Sequence, residues 1–369
     1  MSPDTILGVF THLTWSTAAQ VVMLGFIGGV LSGFIGSGGA FFMTPGMMNL
    51  GVLGPIAVGS NITHKFGKAM VGSRRHGQMG HVDKKLSLYM LITAAIGIRL
   101  AVWVMKIMFK GSGDSHAASH GATADLYISV VFIGVLAFVS VSMLRDIIRS
   151  RKAETLGPSR RIVEFLNRFR LHPMIYFPVA DVRVSLWVVL ICGLATGYLA
   201  GTIGVGGFIG VPAMIYVFGV SAQVAAGSEL FLAMFMGAFG AVNYALEGMV
   251  DLRLTMLLFI GSLVGIHIGA YGTKVVKEVV IRLATAMIIL LCVISRLVAV
   301  PVYLRQLGLL HYDPARDVIF NVASKGLLYV SGIGGTAIIL YFVFRAYSER
   351  QRIRESLAVE PMRRHGVPA

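Results

Sequence analysis

Residues 25–52 read GFIGGVLSGFIGSGGAFFMTPGMMNLGV, and residues 193–220 read GLATGYLAGTIGVGGFIGVPAMIYVFGV. In each stretch an apolar segment runs into a cluster of glycines. The two starts, 25 and 193, are 168 residues apart, and the same offset maps residues 59–60 onto 227–228 and 82–83 onto 250–251. Matches in one register over such a distance indicate a duplicated unit. In transporters, glycine-interrupted apolar segments at matching positions of two halves mark the binding site.

The composition is that of a membrane protein. Hydrophobic residues make up 56% of the chain and charged residues only 13%, with a mean hydropathy of +0.78. Apolar stretches of about 20 residues recur, each long enough to cross a bilayer. The net charge of +15 does not indicate nucleic-acid binding, because the basic residues lie mostly in loops and tails, as Lys and Arg do on the cytoplasmic side. Two cysteines without a CxxC pair suggest neither a redox centre nor a disulfide framework.

We therefore predict an all-α polytopic membrane protein of about 10–11 transmembrane segments, in two inverted repeats of about five with glycine-broken helices. The predicted parts are an N-terminal segment (1–16), transmembrane repeat 1 (17–144), a basic cytoplasmic linker (145–183), transmembrane repeat 2 (184–299), a loop with an additional transmembrane helix (300–345) and a basic cytoplasmic tail (346–369).

Loop charge predicts the orientation. The linker and the tail are both basic and are expected in the cytoplasm, which places the N-terminus outside. The loop after residue 73 carries Arg74, Arg75, Lys84 and Lys85, whereas its counterpart around residues 247–253 has a single arginine. This asymmetry is what inversion of the second copy predicts. The same parity favours full crossings by the short broken segments 39–55 and 207–220 over re-entrant loops.

The repeated motifs resemble those of the TauE/SafE-type sulfite exporter family, also called the TSUP class of transmembrane anion transporters. The resemblance rests on residues 193–212, 225–228 and 248–251, and on 25–45, 57–60 and 80–83 in the first half. It implies transport of sulfite, sulfonates or other small organic anions across the bacterial inner membrane. The first half departs from the family pattern at Asn61, His64 and Lys65, where a more apolar run is usual.

The glycine clusters are candidate substrate sites. Glycine allows positive φ and leaves backbone N–H groups open, and at the start of a half-helix these groups and the helix dipole attract an anion. The alternative is close helix packing through small residues. The predicted substrate-binding residues are Gly36, Ser37, Gly38, Gly39, Ser60, Asn61, Lys65, Arg99, Gly204, Gly206, Gly207 and Ser228.

Lys65 and Lys68 share a helix face with Asn61 and His64. A charge at the bilayer centre costs about 2.5–3.5 kcal/mol on insertion scales, so these lysines need an acid, water or an anion nearby. We expect Lys65 to attract the anion. The alternative, that the lysines extend to the cytoplasmic surface, applies most readily to Lys68.

Glu229 and His267 are the candidate proton-coupling residues. Glu229 aligns with Asn61 at the offset and could pair with Lys65, take up a proton, or be a first-turn carboxylate that the helix dipole favours. His267 aligns with Arg99 in mid-span and titrates near neutrality. The two could share a polar axis or merely contact backbone carbonyls.

The sequence favours a secondary transporter of a small anion by alternating access, acting as an exporter and coupled to protons. The alternative is a channel-like anion pore without coupling, and a membrane enzyme ranks lowest. We expect no cofactor and no metal, since Asp114, His116 and His120 lie in a Gly/Ser/Ala-rich loop. The expected partners are the small anion, anionic membrane lipids at the arginine runs, and a second copy in a homo-oligomer.

Overall fold

The computed structural model describes residues 13–35, 39–110, 117–150, 172–204, 206–276 and 278–364. The helices in these ranges are α1 Trp15–Ile35, α2 Ala40–Asn49, α3 Gly54–Gln78, α4 Lys84–Lys110, α5 Ala117–Ser150, α6 Leu186–Ile203, α7 Gly207–Pro212, α8 Ala222–Leu246, α9 Leu252–Val275, α10 Glu278–Gln306 and α11 Asp317–Arg364. The π-helical turn Ala213–Val217 continues α7, and the 3₁₀ turn Pro314–Arg316 precedes α11. The strands are β1 Met174–Phe177 and β2 Val182–Ser185.

The predicted all-α polytopic class is confirmed. Among the described helices, eight are long and apolar enough to cross a membrane: α1, α4, α5, α6, α8, α9, α10 and α11. Helix α3 has 25 residues, but its polar side chains keep it out of that group. Helix α2 has only 10 residues, about 15 Å, which is half of a hydrocarbon core of about 30 Å.

The expectation that segments 39–55 and 207–220 cross fully is wrong, because each forms a half-length helix. Each half-helix nevertheless runs back along the helix before it. A methyl group added at Gly39 would meet the Gly28 carbonyl oxygen, and one added at Gly46 would lie 2.6 Å from the Leu24 side chain. The chain therefore reverses direction between α1 and α2, which preserves the parity that a full crossing would give.

Two helix pairs pack through equivalent glycines. A methyl group at Gly25 of α1 would lie 2.4 Å from the Leu258 carbonyl oxygen of α9, and one at Gly193 of α6 would lie 2.5 Å from the Met90 carbonyl oxygen of α4. Both members of the second pair differ by 168 from members of the first. Small residues at these positions let the two backbones approach closely, as is usual between membrane helices.

Helices α3 and α8 contact each other reciprocally and run antiparallel. Gly72 faces Leu230, and Gly240 faces Ile62, so residue numbers increase along α8 in the direction in which they decrease along α3. Hydrogen bonds repeat in the same way. Ser60 Oγ accepts from the Asp251 N–H at 3.0 Å, and Ser228 Oγ accepts from the Asp83 N–H at 2.9 Å. Each half thus holds the turn that follows α8 or α3 in the other half.

A β-hairpin of β1 and β2 forms at the C-terminal end of the predicted linker. Its register pairs Met174 with Ser185 and Phe177 with Val182. The Asp83 carboxylate accepts hydrogen bonds from the Val179 and Ala180 N–H groups, both at 3.0 Å. The hairpin is therefore held on the α3–α4 turn. At the other end of the linker, α5 continues to residue 150, and residues 151–171 lie outside the described ranges.

Candidate functional site

The second glycine break meets the first half of the chain. Gly204 ends α6 with φ of +76°, a conformation that only glycine adopts without strain. A methyl group at Gly204 would lie 3.1 Å from Asn61 Nδ2 and 3.2 Å from Thr44 Oγ1. The break thus lies against α2 and α3.

A chain of buried hydrogen bonds joins the halves at this point. Asn61 Nδ2 donates to Thr44 Oγ1 at 2.7 Å, and Thr44 Oγ1 donates to the Ile203 carbonyl at 3.2 Å. Asn61 and Thr44 are both fully buried. Ile203 is the last residue of α6, so α2 binds the end of the broken helix. Thr44 was missed by the sequence analysis, because one threonine in an apolar segment carries no signal.

The other predicted glycines lie at the same two breaks. Gly39 precedes α2, while Gly206 and Gly207 lie at the start of α7, and all three are buried. Gly36, Ser37 and Gly38 lie outside the described residues.

Glu229 lies beside the second half-helix, α7, and its carboxylate forms no hydrogen bond to the described residues. It is 3% exposed, and neither carboxylate oxygen has a hydrogen-bond partner among the described residues. A methyl group at Gly210 of α7 would lie 2.2 Å from Glu229 Oε2, so the carboxylate packs on the backbone of α7. Because α8 begins at Ala222, Glu229 is in its third turn, and the first-turn alternative does not hold.

Lys65 lies one turn beyond Asn61 on α3 and is half-buried. It is near enough to Glu229 for electrostatic attraction, but no ion pair joins the two in the part of the chain that the structure describes. His64, next to it, is buried, and its Nε2 lies 2.7 Å from Ser262 Oγ of α9. The region therefore combines a cation and an acid that do not bond each other directly.

The two predicted serines hold helices and turns together. Ser60 Oγ is occupied by the Asp251 backbone, and Ser228 Oγ by the Asp83 N–H. The Ser228 carbonyl also accepts from Ser87 Oγ at 2.9 Å. These bonds position Asn61 and Glu229, each of which follows one of the serines directly. Substrate contact by either hydroxyl stays a prediction.

Arg99 and His267 are not brought to this region. Arg99 is exposed on α4, and its Nη1 donates to Asn243 Oδ1 of α8 at 3.0 Å. His267 is exposed on α9, and its Nδ1 lies 2.7 Å from the Leu263 carbonyl of the same helix. Their roles in binding and proton coupling stay predictions.

No group of three or more His, Cys, Asp or Glu side chains that could hold a metal occurs among the described residues. Asp114 and His116 lie outside the described ranges, as does the side chain of His120. The described site therefore offers the ammonium group of Lys65 and the buried carboxylate of Glu229, beside amide and hydroxyl groups that bond within the protein.

Known proteins share this sequence pattern. The family model described as "Sulfite exporter TauE/SafE" matches residues 21–296. The probable membrane transporter protein YjnA of Bacillus subtilis (strain 168) is 25% identical over 255 residues, which cover 69% of this chain and 89% of that protein. The probable membrane transporter protein YdhB of the same organism is 24% identical over 268 residues, covering 72% and 94%. No solved structure matches significantly.

Proposed function

The chain belongs to the sulfite exporter TauE/SafE family, and we propose that it is a secondary transporter that exports a small sulfur-containing or organic anion across the bacterial inner membrane. The observation that carries this proposal is the meeting of Gly204 with Thr44 and Asn61, between two half-helices and beside Lys65. The Thr44 hydroxyl already donates to the Ile203 carbonyl, so the Lys65 ammonium is the donor that an oxyanion would use at this point.

The electrostatic attraction between Lys65 and Glu229 supports a site that binds an anion together with a proton. A lysine and a carboxylate that do not bond each other each need another partner inside a membrane protein. An anion beside Lys65 and a proton on Glu229 would each supply one. Binding of the two would then be favourable together, and this links anion movement to proton movement.

The reciprocal contacts support alternating access. Helices α3 and α8 are equivalent in the repeat and run antiparallel, so the two halves enter the membrane from opposite sides in our proposal. The basic linker and tail then lie in the cytoplasm and the N-terminus outside. Rocking of one half against the other would open the glycine breaks to one side of the membrane at a time.

Flux of labelled sulfite into proteoliposomes, with and without a pH gradient, tests the proposal. We expect saturable flux that the gradient stimulates, and loss of that stimulation in Glu229→Gln, which cannot exchange a proton. A control variant, Glu247→Gln, changes a carboxylate that forms a salt bridge to Lys106 at 3.1 Å and should keep the stimulation. Absence of flux for sulfite, thiosulfate, sulfonates and carboxylates would refute transport, and unsaturable flux without pH dependence would indicate a pore instead.

A further inference from the structure

A second buried polar cluster lies outside the site described above, at the far end of α2. Its centre is Arg296 of α10, which is 1% exposed and is the largest fully buried side chain among the described residues. Arg296 Nη2 donates to Asn49 Oδ1, while Nη1 approaches Met48 Sδ at 3.6 Å and Tyr303 OH at 3.5 Å. The weak acceptors at Nη1 do not balance a full positive charge.

Two donors in this cluster have no acceptor. Arg296 Nε and Asn49 Nδ2 are both buried and make no hydrogen bond in the described part of the chain. An unbonded buried donor costs about 1–3 kcal/mol, and more when the group is charged. Both unbonded groups are donors, so the cluster lacks hydrogen-bond acceptors. Asn49 and Tyr303 are partly exposed, which means that the cluster borders an accessible surface.

The nearby carboxylate of Asp125 does not fill this need. Its Oδ1 accepts the Gly54 N–H at 2.6 Å, at the start of α3, and no ion pair joins it to Arg296 among the described residues. It is near enough to attract Arg296 electrostatically. Asp125 therefore lowers the cost of burying the arginine without bonding to its open N–H groups.

We infer that Arg296 and Asn49 form a second binding site for a small oxyanion, separate from the glycine breaks. Asn49 is five residues, about 7.5 Å, beyond Thr44 along α2, so the two sites lie on one helix. An oxyanion here would accept from Arg296 Nε and Asn49 Nδ2 together. The inference rests on the proposed function only for the class of anion.

Equilibrium binding of labelled sulfite to the purified full-length protein tests the inference, with sulfate and chloride as competitors. We expect two anions per wild-type chain. Arg296→Ile and Asn49→Val each remove one of the two open donors, and each should weaken the binding of one anion by about tenfold or more, since a charge-assisted hydrogen bond is lost. Lys65→Ala should weaken the binding of the other anion. Lys106→Gln, which changes a half-exposed surface lysine, should weaken the binding of neither anion.

The outcomes separate this inference from the proposed function. One anion per chain, lost in Lys65→Ala but retained at full affinity in Arg296→Ile, overturns the second site and leaves the transport proposal standing. If Arg296 serves only to balance Asp125, the double variant Arg296→Ile/Asp125→Val will bind two anions like the wild type, which also overturns it. Asn49→Val keeps both charges, so it decides the question if Arg296→Ile does not fold.

Discussion

Replacing Gly197 by alanine should force α4 and α6 apart. The added methyl group would lie 2.1 Å from the Ala94 carbonyl oxygen and 2.4 Å from its Cα. A carbon–oxygen contact needs roughly 3.3 Å, so the helices must separate by roughly 1 Å. A gap of that size removes about a quarter to a half of each dispersion contact along the interface. Overpacking of this kind costs about 1–3 kcal/mol, and we expect that loss of stability.

The matched control is Gly134→Ala on α5, where an added methyl group meets nothing within 4 Å. There alanine should stabilise the helix by up to about 1 kcal/mol through its higher helix propensity. Thermal unfolding of both variants in one detergent, followed by tryptophan fluorescence, compares them directly. Gly29→Ala, the equivalent change between α1 and α9, should behave like Gly197→Ala, with its methyl 2.5 Å from the Ser262 carbonyl oxygen. Equal midpoints for Gly197→Ala and Gly134→Ala would refute the reasoning.

Two further predictions concern charge. Lys65→Ala should lower sulfite flux at limiting sulfite concentration by about tenfold or more, because a charge-assisted contact is worth about 1.5–3 kcal/mol. The control Lys106→Ala should leave the flux within about twofold of the wild type. Equal losses of flux in the two variants would contradict a specific role for Lys65. Asp83→Asn should weaken the acceptor of the Val179 and Ala180 N–H groups and so speed proteolytic cleavage within residues 172–185. Mass spectrometry of limited digests measures this cleavage. An unchanged cleavage rate would show that other contacts hold the hairpin.

The architecture was accessible from the sequence because duplication leaves a record in spacing. Glycines 25 and 193 could be aligned from the sequence alone, and the structure gives them equivalent neighbours on α9 and α4. Segment length was harder to predict. The half-helix α2 could not be distinguished from a full crossing by charge, because a chain that turns back on α1 gives the same parity.

The details of the site depend on contacts that the sequence does not encode locally. Thr44 and Ile203 are 159 residues apart, and only the fold brings the hydroxyl to the carbonyl. Arg99 looked like a site residue because it is charged and in mid-span. Which face of α4 it occupies is decided by packing against α6 and α8, and that face is exposed. Arg296 drew no notice, because its partner Asn49 lies on α2, 247 residues away in the sequence.

The β-hairpin is one feature that distinguishes the two halves. Asp83 holds it, whereas the equivalent Asp251 forms a salt bridge to Arg253 at 2.8 Å. Two identical halves related by inversion would give inward-open and outward-open states of equal free energy. A brace on one turn alone removes that degeneracy, because opening at the braced end must also displace the hairpin. Under the proposed alternating access, we therefore expect the resting population to favour the state that is closed at the Asp83 end, even without a gradient.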